Sequence, residues 1–77
     1  MDKFDESLRN IMRDSTPDKK IRVIVTGSNI DHAKYGLNAI PGINGIFGGE
    51  LSAGHIHQMA RDGNIQSIEL DQEMRKL

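Results

Sequence analysis

The chain has 77 residues, no cysteine and a formal net charge of −1. That excludes a disulfide framework and a thiolate metal site, and it argues against a nucleic-acid binder, whose basic face normally carries aromatic residues among its charges. No apolar run approaches the roughly 18 residues needed to span a bilayer, and a chain this short buries only about 60% of its unfolded surface, so a single small domain with a marginal core is expected.

The first segment places Phe4, Leu8, Ile11 and Met12 at helical spacing between charges, which predicts an amphipathic helix or a flexible arm over residues 1–18. Asp14 to Asp18 reads as a linker by composition, with Pro17 inside it. Met1 to Glu6 has neither the positive start nor the apolar stretch of a signal peptide, so no secretion signal is expected. Localisation is left open: secreted if the chain belongs to an exported precursor, cytoplasmic if Met1 is native.

Lys20 to Thr26, rich in β-branched residues and followed by Gly27-Ser28, predicts a strand. Ser28 or Asn29 is placed to cap a helix through Ala39, with Ile30, Ala33, Leu37 and Ile40 as its apolar stripe and Pro41-Gly42 as its stop. Between Gly42 and Leu51, glycines 45, 48 and 49 alternate with Ile43, Ile46 and Phe47, which predicts two short strands around a tight turn. Ser52 caps a second helix with Ile56, Met59 and Ala60 on one face, and Gly63 suits a left-handed closing position. Ile65 to Asp71 is the last strand, and Gln72 to Leu77 has no apolar period.

Strand, helix, strand, strand, helix, strand is the α+β, ferredoxin-like βαββαβ order: an antiparallel sheet over residues 19–71 with two helices on one face. Strand alternation puts Ile21, Val23 and Val25 on one side and Arg22, Ile24 and Thr26 on the other. In the last strand Ile68 and Leu70 share a side, while Ser67, Glu69 and Asp71 share the opposite one. The face away from the helices is therefore expected to hold Ile24, Thr26, Ser67 and either Ile46 or Phe47, edged by Glu69 and Asp71. Such a mixed face is either simply solvated or suits a partner offering apolar helix surface and helix N-termini, where carboxylates are favourable.

His55 and His57 are two positions apart, so on a helix they point about 200° from each other and do not readily chelate one ion. A metal would need His32, Glu50 or Asp31 as well, and none is expected. No activated serine nucleophile is expected beside them. Gly45-x-x-Gly48-Gly49 is not a phosphate loop, because no lysine or helix start follows in register.

From Leu51 onward the chain resembles the propeptides of subtilisin-like serine proteases, a family of intramolecular chaperones and inhibitors. The resemblance rests on Leu51, the helix with Ile56 and Met59, the turn Arg61-Asp62-Gly63-Asn64, the strand Ile65-Gln66-Ser67-Ile68-Glu69-Leu70-Asp71, and a tail to Leu77. Lys20 to Thr26 resembles the family's opening strand. The stretch between the second and third strands is shorter than usual, Gly63 replaces a usual proline, and the first 17 residues match no part of the family.

The resemblance implies that the open sheet face lies on surface helices of the protease, with Glu69 and Asp71 accepting hydrogen bonds from their N-terminal amides. It implies that Glu73, Met74, Arg75, Lys76 and Leu77 run through the substrate groove, adding a strand there. Leu77 would fill the primary pocket, its carboxylate near the catalytic serine, and Met74 the next apolar pocket. Sheet contacts would come from Ile24, Thr26, Phe47 and Ser67. The expected domain catalyses nothing, takes no cofactor, binds neither nucleic acid nor membrane, and is monomeric when free. The competing expectation is a regulatory or oligomerising module of the same fold that binds a small ligand or its own copy.

Overall fold

The computed structural model describes residues 3–71. Its elements are α1 (Glu6–Arg13), β1 (Lys20–Gly27), α2 (His32–Tyr35), β2 (Asn38–Ala39), β3 (Ile46–Ser52), α3 (Ala53–Met59) and β4 (Ile65–Leu70). The strands form one antiparallel sheet in the order β2-β3-β1-β4. This is the ferredoxin-like α+β arrangement expected from the strand and helix order.

Alternation along β1 decides which side becomes core. Ile21, Val23 and Val25 are buried, while Arg22 is exposed and Ile24 and Thr26 are half-buried. Ile56 and Met59 from α3 and Leu8 and Met12 from α1 join the same cluster. Ile65 and Ile68 in β4 are both buried although an odd spacing separates them. The β1–β4 register shifts between Thr26 and Gly27, a bulge that resets the alternation so that both isoleucines face inward.

Each end of α1 has a local cause. Asp5 caps it by accepting a hydrogen bond from Leu8 N at 3.1 Å, and the cap backbone is tied to β4: Ile68 N donates to Lys3 O at 2.9 Å, and Asp5 N to Ile68 O at 3.2 Å. The segment expected as a helix or arm is thus a helix whose lead-in lines the outer edge of β4.

Three local expectations need correcting. The helix expected from residue 28 or 29 through 39 is a single turn, His32–Tyr35, and contributes no buried residue. Asn29 sits at φ 55, outside helical space, and Gly36 at φ 73 closes the turn in the left-handed region that glycine adopts without strain. Leu37 then turns inward over Gly49, where a Cβ would meet Leu37 Cδ2 at 2.8 Å. Ile30 and Leu37 are buried as the apolar pattern demands, but from the irregular segments on either side of α2. The helix layer on the sheet is accordingly α1 with α3.

The hairpin is also displaced. Its first strand is Asn38–Ala39, and Gly48 and Gly49 lie inside β3 rather than in the turn. Gly63, expected in the left-handed region, is not there; the positive-φ glycines are 36, 42 and 45. Instead Asp62 N bonds back to Met59 O at 3.0 Å and the Asp62 carboxylate accepts Asn64 N at 2.9 Å, so an aspartate-centred turn ends the helix.

Candidate partner-binding face

The strand registers assign each side chain of the uncovered face. Ile24 is opposite Glu69 and Gly48, Thr26 is opposite Ser67 and Ile46, and Arg22 is opposite Glu50. Asp71 N donates to Arg22 O at 3.0 Å, which extends the β1–β4 ladder by one position and puts Asp71 beside Arg22. Glu69 and Asp71 therefore share a face with Ile24, Thr26 and Ser67, and no described helix covers it.

Phe47 does not belong there. It pairs with Val25, whose side chain is buried, and so lies on the core side, packed against the core and stacked on His32 with ring centroids 5.2 Å apart. Ile46 holds the open-face position instead. The glycines between 45 and 49 obscured the alternation in the sequence, because a residue without a side chain marks neither face.

The two acids differ in their surroundings. Glu69 is exposed. Asp71 Oδ2 lies 3.7 Å from Arg22 Nη2, with the Asp71 side chain 13% and the Arg22 side chain 48% exposed. At that length, with the arginine half exposed, the contact is a loose ion pair. Gly48 keeps the middle of the face low, with Ile24 Cδ1 3.7 Å from where a side chain would begin. A shallow groove of about 590 Å³ runs from β2 past Ile24 and Gly48 to Arg22 and Asp71. Chemically, the face offers carboxylate acceptors, small hydroxyls and a patch of branched aliphatic surface. Exposed Arg22, which the strand alternation places on this side, and Glu50 opposite it add charge to the face; Glu50 was not assigned to it from the sequence.

The histidines are apart and separately engaged. His32 Nδ1 is 3.2 Å from Leu37 O, and His57 meets Phe4 edge-on at 5.4 Å. His55 Nδ1 lies 2.9 Å from Ser52 Oγ, a serine–histidine contact not foreseen from the sequence. Its origin is local: Ser52 is the buried N-cap of α3, and its oxygen accepts His55 N at 3.3 Å. Among the described residues, no group of three His, Asp or Glu side chains is arranged to hold a metal ion. No described helix is long and apolar enough to cross a membrane.

Glu73, Met74, Arg75, Lys76 and Leu77 lie outside the described residues. No protein-family model, curated protein or solved structure matches the chain.

Proposed function

We propose that this chain binds a subtilisin-like serine protease as a propeptide-type inhibitor and folding chaperone. The reading is carried by one observation: Glu69 and Asp71 share the uncovered sheet face with Ile24, Thr26 and Ser67. In the proposed complex that face lies on two protease helices and the carboxylates accept their N-terminal amides, each worth about 0.3–1 kcal/mol and more when partly buried. Residues 73–77 follow Asp71 into the substrate groove and occupy it as a cleaved product would, with Met74 and Leu77 as apolar anchors. Binding the native protease in preference to its unfolded chain stabilises the enzyme by mass action, which is the chaperone half of the same interface.

The test is a titration of the chain into a subtilisin assay beside a version ending at Asp71 and a Glu69→Ala variant, with circular dichroism confirming that all three are folded. Inhibition by the full chain, weakened in both variants, is expected. Absence of inhibition at micromolar concentrations, or inhibition indifferent to loss of residues 72–77, sinks the proposal. Half-buried Ile24 and Ile46 on the same face also suit the competing reading, pairing with a second copy. Light scattering that finds a stable dimer, broken by Ile24→Lys, would favour it.

A further inference from the structure

Asn44 precedes Gly45 in the exposed turn that leads into β3. Among the described residues the Asn44 amide has no hydrogen-bond partner, and the Gly45 N–H donates to none. Gly45 carries no Cβ to shield its nitrogen, and its φ of 82 belongs to a region other residues rarely enter. From this we infer that Asn44 is a site of spontaneous deamidation, in which the Gly45 backbone nitrogen closes on the Asn44 side chain.

The chemistry balances with water as the only co-reactant. The Gly45 nitrogen loses its proton to solvent base and forms a bond to Asn44 Cγ, and the side-chain nitrogen leaves as ammonia. Water then opens the resulting cyclic imide at either carbonyl. Attack at Cγ restores an ordinary aspartate, whereas attack at the backbone carbonyl gives a β-linked isoaspartate.

The other asparagines lack this combination. Asn10, Asn29 and Asn64 each precede an isoleucine and Asn38 an alanine, whose side chains crowd the following nitrogen. Asn10 also accepts from Arg13 Nη2 at 2.7 Å, and Asn64 Nδ2 donates to Asn29 O at 3.2 Å. Asp62-Gly63 is the comparable acidic pair, yet both Asp62 carboxylate oxygens are engaged, one by Tyr35 Oη at 2.7 Å and the other by Asn64 N at 2.9 Å.

The site is placed to matter. Gly45 O accepts from Gly27 N at 3.0 Å, closing the ladder beside the Thr26–Ile46 pair at one end of the uncovered face. Deamidation adds a negative charge there, and the β-linked product inserts a methylene into the turn. The experiment is to age the full chain at mildly alkaline pH, then map peptides by mass spectrometry and label isoaspartate with an isoaspartyl methyltransferase. Time-dependent loss of the amide at Asn44, isoaspartate at that position and its disappearance in Asn44→Gln are expected. Persistence of the Asn44 amide, or earlier modification of another asparagine or of Asp62, would overturn the inference. The measurement is independent of protease binding.

Discussion

Asp62 gathers more of the fold than any feature of its surroundings in sequence suggests. Its carboxylate accepts from Tyr35 Oη and from Asn64 N, and its carbonyl accepts from Lys3 Nζ at 2.8 Å, joining the amino-terminal lead-in, α2 and the α3–β4 turn. The Asn64 N–H, then the Tyr35 hydroxyl, hold the Asp62 carboxyl below its ordinary value, while the hydrogen bond to Asp62, with burial second, raises Tyr35 above 10.0. The depressed Asp62 contributes stability that is present above the unfolded carboxylate pKa and lost as pH falls through its folded value. The raised Tyr35 contributes below its unfolded value and loses that contribution as pH climbs through the folded one. Tyr35 is the single tyrosine and there is no tryptophan, so phenolate absorbance reads it directly. Its midpoint is expected above the ordinary value and should fall back in Asp62→Ala. Two glycines give a second residue-scale test. A Cβ at Gly27 would run into Asn64 O and Ile30 Cδ1, so Gly27→Ala should cost about 1–3 kcal/mol in denaturant unfolding. Gly63 has open space around it and no positive φ. Gly63→Ala should be tolerated or gain about 0.4–1 kcal/mol, the opposite of what a left-handed closing glycine would show.

At the scale of the element, α1 is integral to the core. Leu8 is fully buried and Met12 nearly so, whereas Ile11 on the same helix is 38% exposed. Leu8→Ala should therefore cost about 2–5 kcal/mol and Ile11→Ser no more than about 0.5 kcal/mol, compared by chemical denaturation. Asp5 has two duties, since the same carboxylate oxygen that caps Leu8 N accepts from Leu70 N at 3.3 Å on the outer edge of β4. That edge would otherwise present unpaired donors to solvent or to another chain. The one-turn α2 explains why the extra helix is needed: with no buried residue of its own, it leaves part of the sheet for α1 to cover.

Across the whole molecule, the sheet separates a face that stabilises from a face available to a partner. Ile68 and Ile24 lie on adjacent strands and point to opposite sides. Ile68 is fully buried and Ile24 half-buried. Ile68→Ala should lose about 2–5 kcal/mol of stability. Ile24→Ala should lose distinctly less, while weakening protease inhibition if the proposed interface is right. A variant series in which stability and inhibition fall together at both positions would contradict that division of labour.

For β1 and for the end of β4, strand identity and sidedness were legible from residue order alone. Period-two alternation in Lys20–Thr26 and in Ser67–Asp71 specifies which side chains share a face, whatever the surrounding fold. Ser52, too, announced α3, because N-cap chemistry is local. Contacts distant along the chain decided the rest. Gly36 and Leu37 turned the expected long helix into one turn because burying Leu37 over Gly49 outweighed helical propensity that glycine had already weakened. The bulge beside Gly27 set the facing of Ile65, Phe47 went inward by pairing with Val25, and α1 found its place only once β4 offered an edge and an uncovered core. Local pattern selects conformations that differ by a few tenths of a kcal/mol to about one per residue, whereas burying a whole side chain is worth about 1.5–3 kcal/mol. Tertiary packing therefore prevailed wherever the two disagreed.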